Sequence, residues 1–185
     1  MEVKHLDSFY IIHKLEKHNE VKDKLMNLII NNEADSTEYE GGFISRTDYH
    51  LDENHKRTYL PLFFETIENI LQKQADFFFA TEATVHHAWF QQYYMYDKHN
   101  WHTHGKCNFA NIYYLELPDT NMKTQFFDIL SKKIIGNIEL EEGDIITFPA
   151  YILHRSNTNT LERKTIISYN TTFESTQAER IDKLL

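Results

Sequence analysis

The chain has 185 residues, 41% hydrophobic and 14% aromatic, too apolar for a disordered segment and enough for one domain with a core. Its formal net charge of −9, from 28 acidic and 19 basic residues, disfavours a general nucleic-acid binder, because phosphate binding needs a basic footprint. No apolar run approaches bilayer-spanning length, and the single Cys107 cannot form an intramolecular disulfide.

Met1 to Tyr10 has no basic segment followed by an apolar run, so no secretory leader is expected. Together with the cysteine usage this predicts a soluble, cytoplasmic protein. With few glycines and prolines and no internal repeat, the sequence reads as a single domain over 1–185.

Asn19 is placed to cap a helix whose apolar face is Val21, Leu25, Leu28 and Ile29, ended by the polar run Asn31 to Thr37. Glu40 to Arg57 reads as a loop with a turn at Gly41-Gly42. Pro61 opens a second helix, where its missing N–H costs little, with Phe63, Phe64, Ile67, Ile70, Leu71, Ala75 and Phe78 as the buried stripe. From about Thr84 the pattern changes to strands. These are Val85 to Tyr96, Cys107 to Leu117, Thr124 to Leu130, Lys133 to Leu140, Ile145 to Phe148 and Lys164 to Phe173, with a turn at Glu141-Glu142-Gly143-Asp144. Thr176 with Glu179 signals a capped C-terminal helix.

Helices first and many short strands after them predict an α+β, mainly β fold. It is expected as a jelly-roll or cupin-like double-stranded β-helix barrel with N-terminal helices packed on one sheet. Residues 1–80 would be helical support, 84–174 the barrel and 175–185 a short helix.

The chemistry concentrates in Trp101-His102-Thr103-His104 and a later histidine, His154, which follows Thr147-Phe148-Pro149. Two imidazoles two residues apart point the same way on a strand. A third arriving from another strand completes a set that suits Fe, Zn, Cu or Ni and leaves coordination positions open. The chain has 11 histidines, so a lone His-x-His would carry little weight; the company of His154 is what raises it. His5, His13, His18, His50, His55, His86, His87 and His99 have no comparable setting and read as surface or partly buried residues. Asp97 reads as a turn residue rather than a ligand.

A wider pattern surrounds these residues. Trp89, Gln91 and Tyr93 alternate on one strand face. His102 and His104 follow, then Tyr113-Tyr114, Gly143-Asp144, Phe148-Pro149, His154, and finally Arg163 or Lys164 before Ser168-Tyr169-Asn170. In order and spacing, Ala88 to Thr172 resembles the 2-oxoglutarate- and Fe(II)-dependent oxygenases, in their small prolyl-4-hydroxylase-like branch of bacteria and phages. The resemblance implies Fe(II) held by His102, His104 and His154, with His104 standing where the commonest version has a carboxylate. It implies 2-oxoglutarate as co-substrate, O2 as oxidant and ascorbate as an accessory reductant. The far carboxylate of 2-oxoglutarate would meet Arg163 or Lys164, with Gln91 and Tyr93 as hydrogen-bond donors.

Alternation puts Arg163 and Lys164 on opposite faces. The bidentate fork of Arg favours Arg163, and the register of the Ser-Tyr-Asn ending favours Lys164; Arg163 is placed first. Arg155 reads as structural or as a rim contact, and Glu40 to Arg57 and Asp119 to Thr124 as rims of the mouth. The expected activity is hydroxylation of a C–H bond in a protein, peptide or amino-acid substrate. The alternatives are a cupin-type metalloenzyme without 2-oxoglutarate, either a dioxygenase or an isomerase, and a non-catalytic barrel binding module.

Overall fold

A computed structural model describes residues 8–39, 41–52 and 54–185. His5 and most of the Met1 to Tyr10 segment lie outside the described residues. Among the described residues, eleven strands form two antiparallel sheets, accompanied by three α-helices. The larger sheet has the order β1 (Ile11–Lys14), β9 (Asp144–Pro149), β6 (Phe109–Glu116), β11 (Lys164–Thr176), β4 (Ala80–Tyr93), β3 (Gly42–Thr47), β2 (Asp35–Tyr39). The smaller has the order β5 (His99–His102), β10 (His154–Ser156), β7 (Thr124–Asp128), β8 (Lys133–Ile135).

Alternation along the long central strands builds two separate cores. Tyr113 and Leu115 of β6, Ile167 and Tyr169 of β11 and Phe90 of β4 pack under the helices. Ile112 and Tyr114, Ile166, and Tyr93 take the other side of the same strands and meet Phe126 of the smaller sheet. Phe126 and Phe148 are in edge-to-face contact across the sheets, with centroids 4.8 Å apart. A strand whose two faces are both buried reads as a continuous apolar run, which is why Phe109 to Leu115 shows little polar alternation.

Helix α1 (His18–Ile30) buries Val21, Leu25, Met26 and Ile29. It starts one residue before Asn19, and Lys17 rather than Asn19 occupies the N-cap with no side-chain cap bond. Helix α2 (Leu60–Phe77) has Pro61 in its first turn and buries Phe63, Ile67, Ile70 and Ala75. Phe78 stands just past it, stacked on Phe109 at 4.2 Å. Helix α3 (Ala178–Asp182) is capped by Gln177 without a side-chain bond, so the Thr176–Glu179 capping box does not form.

The stretches read as polar helix end and loop instead form the β2–β3 hairpin, which extends the sheet edge beside β4. Only Gly42, Ile44 and Thr47 of β3 are buried, too few to signal a strand by alternation. The hairpin is anchored from outside its own sequence. The buried Asp48 accepts hydrogen bonds from the Phe90 N–H at 2.9 Å, the Tyr59 hydroxyl at 2.8 Å and Arg57 Nε at 3.1 Å. β8 ends at Ile135, and the chain runs irregularly through Gly136 to Leu140 while still burying Ile138 and Leu140. At the Glu-Glu-Gly-Asp turn Gly143 has φ +92°, and a Cβ there would sit 2.9 Å from His18 Cγ. No described helix is long and apolar enough to cross a membrane.

Candidate metal centre

His102 ends β5, His104 lies two residues beyond it, and His154 opens β10. Antiparallel pairing sets His154 directly opposite His102. His104 is fixed by its backbone, whose N–H donates to the Ala150 carbonyl at 2.9 Å. The ring centroids lie 4.1 Å (102–154), 5.1 Å (104–154) and 5.4 Å (102–104) apart. One ring nitrogen of each falls within 4.8 Å of the others.

Hydrogen bonds decide which nitrogens those can be. Nδ1 of His102 donates to the Asn100 carbonyl at 2.7 Å, and Nδ1 of His154 to the Ile152 carbonyl at 2.9 Å. Nδ1 of His104 faces the Asn170 side-chain oxygen at 2.6 Å. A carbonyl can only accept, so each Nδ1 carries the proton and each Nε2 keeps its lone pair. Burial disfavours the imidazolium: His102 is pushed down to about 4, His104 is lowered, and His154 falls well below the ordinary histidine range. Three neutral, oriented imidazoles form a donor set that fits a divalent transition metal. No Asp or Glu joins them among the described residues.

The remaining predicted residues divide between two faces of β11 and β4. Gln91 and Tyr93 line the slot that runs from the triad, with Trp89 at its outer end and Lys164 at its inner end. Lys164 is buried; its Nζ donates to the Met122 carbonyl at 3.0 Å and, closely, to the Ser156 hydroxyl. It lies 4.2 Å from the centre of the Tyr93 ring. It has no carboxylate partner among the described residues, and burial pulls its pKa down to about 7. Arg163 points to the opposite face, where Nε and Nη2 each meet Glu116 at 2.8 Å. A register shift in the β11–β6 pairing falls at Thr165/Ile166, beyond both residues, so simple alternation separates them. The placement is therefore the reverse of the order the guanidinium fork suggested: Lys164 shares the slot with the triad and Arg163 does not.

Asp97 is buried, and its carboxylate accepts from the N–H groups of Ser45 at 2.9 Å and Tyr94 at 2.8 Å, as a turn residue does. Arg155 directs its guanidinium to Gln125 and over the Trp101 ring at 4.5 Å, while the residue also borders the inner slot. Of the two expected rims, the 40–57 stretch does line the mouth through Gly42, Ile44, Thr47, Tyr49 and His50. The 119–124 stretch instead backs the inner slot, where Met122 receives Lys164.

His99 escaped the sequence reading. Its ring stacks on His102 with centroids 3.8 Å apart, and it lines the same slot, buried and pushed down to about 3. His99 and His102 are three residues apart, which strict alternation assigns to opposite faces. An irregularity in the β10–β5 pairing pairs His102 with His154 but His99 with Ser156, and this puts both rings together.

No protein-family model matches the sequence, and comparison with curated proteins finds no match. Solved structures do match. The viral collagen prolyl hydroxylase of Paramecium Bursaria Chlorella virus-1, in its 2-oxoglutarate complex, aligns at TM-score 0.57 and 15% identity over 90% of this chain and 97% of its own. A 2OG-Fe(II) oxygenase family oxidoreductase from Burkholderia pseudomallei aligns at TM-score 0.70 and 8% identity over 88% of this chain and 85% of its own. SnoN, a non-heme alpha-ketoglutarate-dependent epimerase of nogalamycin biosynthesis, aligns at TM-score 0.65 and 11% identity, covering 90% and 78%. The chain has the fold of the 2-oxoglutarate–Fe(II) oxygenases. At these identities the likeness is one of fold; the chemistry rests on the residues themselves.

Proposed function

We propose that the chain is a non-haem Fe(II)- and 2-oxoglutarate-dependent dioxygenase that hydroxylates a C–H bond of a peptide or amino-acid substrate. In this reading it is a single domain whose two sheets close as a double-stranded β-helix. The observation that carries the reading is the pairing of two features in one slot: three neutral imidazoles at one end and, at the other, a buried lysine with no carboxylate partner among the described residues.

His102, His104 and His154 would hold the metal through Nε2. Iron(II) with 2-oxoglutarate supplies O2-dependent decarboxylation to succinate and CO2, coupled to oxidation of a C–H bond. The protein's own work is positional. The acceptors on Asn100, Ile152 and Asn170 keep the three rings in one tautomer and one orientation. Lys164, protonated, meets the far carboxylate of 2-oxoglutarate, a charge-assisted contact strengthened by the dry surroundings.

The slot now holds about 20 Å³, roughly one water. Seating a five-carbon diacid therefore requires it to widen, with Lys164 exchanging its bonds to Met122 and Ser156 for the carboxylate. Ile112, Ile166 and Tyr114 in the slot wall exclude water around that contact.

The test is an anaerobic Fe(II) titration with 2-oxoglutarate, read by the visible charge-transfer absorption of the chelate. The band is expected in the parent and absent in His102→Ala and His154→Ala. Its absence from the parent, with metal bound, would leave a cupin-type metalloenzyme that does not use 2-oxoglutarate.

A further inference from the structure

Outside the slot the triad opens into a second, larger chamber of about 420 Å³, in the size range of small-molecule sites. Its wall is built from the β2–β3 hairpin, the loop after it and the outer faces of His99, His102 and His104. Two features of that wall are unexpected in this chain.

The first is its charge. The protein is strongly acidic, at −9 overall. A lining of this size drawn evenly from the sequence would hold about two carboxylates, yet among the described residues it holds none and a single cation, Lys98. Lys98 is half-buried, fixed through its backbone to Phe43 at 2.9 Å in both directions, and has no ion-pair partner among the described residues. Its neighbour Asp97 makes no ion pair with it; that carboxylate accepts from the backbone N–H groups of Ser45 and Tyr94.

The second feature is Trp89. It is 4% exposed, lies in the wall of both chambers, and among the described residues its indole N–H has no hydrogen-bond acceptor. A buried donor left unpaired costs on the order of 1–3 kcal/mol, and this N–H is closed to solvent, so a ligand that displaces the surrounding wall and brings an acceptor recovers it. The ring itself cannot swing away to find water. It is packed against Tyr49 at 5.0 Å, His87 at 4.8 Å and His104 at 5.9 Å.

Resting on the oxygenase reading above, we propose that the outer chamber selects an anionic substrate. A carboxylate or phosphate pairs with Lys98, and a polar acceptor on the same molecule takes the Trp89 N–H. The substrate's reacting carbon then lies towards His102 and His104, whose rings line the chamber.

The experiment uses the full chain loaded with Zn(II) and saturating 2-oxoglutarate, which fills the inner slot without turnover. It is titrated with matched pairs of small probes: N-acetyl amino acids against their amides, and phosphate monoesters against the parent alcohols. The readout is the indole N–H signals of the two tryptophans, with Trp89 assigned by its loss in Trp89→Phe.

At least one anion is expected to bind tenfold or more tighter than its neutral counterpart and to move the Trp89 signal rather than the Trp101 signal. Lys98→Met should reduce that preference to under threefold. The two arms of the panel distinguish carboxylate from phosphate. The proposal is overturned if no anion outbinds its neutral partner, or if the preference survives Lys98→Met. It is also overturned if Lys98→Met abolishes the Fe(II)–2-oxoglutarate band, since Lys98 would then serve the co-substrate. Failure of the oxygenase reading is separate: it shows as absence of that band in the unsubstituted protein.

Discussion

Lys164→Met tests the inner slot most sharply, because the lysine's burial makes opposite demands on stability and binding. In the folded protein Lys164 titrates near 7, against 10.5 when exposed in the unfolded chain. Between those values the unfolded state holds the proton and the folded state does not, so stability rises with pH through the window from about 7 to 10.5. The full displacement corresponds to at most about 5 kcal/mol.

Binding runs the other way. Only the protonated amine attracts the far carboxylate, so affinity for 2-oxoglutarate is flat below pH 7 and falls about tenfold per pH unit above it. Burial lowers the pKa of all three metal-binding histidines, and His102 is already neutral above about 4. Titration of the chelate band from pH 6 to 8.5 should therefore show roughly 30-fold weakening in the parent. In Lys164→Met the dependence should vanish. Affinity at pH 6.5 should drop by at least about 30-fold, the loss expected when one member of a buried charge pair is removed. Urea unfolding should show the parent's stability rising towards high pH and the variant's staying level. Unchanged affinity in Lys164→Met, or an equal loss in Arg163→Met, would refute the assignment.

Other outcomes follow from the same contacts. Arg163→Met removes a partly buried, bidentate pair with Glu116 and should cost about 1–3 kcal/mol by denaturant titration, leaving the chelate band intact. Asn170→Leu deprives His104 Nδ1 of its acceptor, so Fe(II) affinity measured by competition should fall about 10- to 100-fold, with recovery in Asn170→Asp. Arg57→Met leaves the Asp48 carboxylate buried without its ion-pair partner, and should destabilise by about 3–5 kcal/mol in urea. Gly143→Ala forces a side chain to φ +92° against the His18 ring, and should lower the melting temperature by several degrees without changing metal affinity.

Much of the centre could be read from the chain because its parts follow simple strand rules. His102 and His104, two apart, and Trp89, Gln91 and Tyr93 on one face need only alternation to be grouped. Alternation also separates Arg163 from Lys164, but it does not say which one faces inward. That depends on Glu116 waiting on the helix side and on Met122 and Ser156 on the other. His99 was hidden by an irregular register, and Asn170 by being one polar residue among several in a strand ending. The β2–β3 hairpin was missed because its stability comes from Asp48, Arg57 and Tyr59 rather than from its own apolar residues.

The central claim is that three imidazoles, one ending β5, one just beyond it and one from β10, surround one divalent ion. Anaerobic Fe(II) titration by calorimetry measures this directly. One site per chain is expected in the parent, with binding lost in each of His102→Ala, His104→Ala and His154→Ala while the far-ultraviolet spectrum stays the same. Binding that survives His154→Ala unchanged, or a parent that takes up no metal, would contradict it.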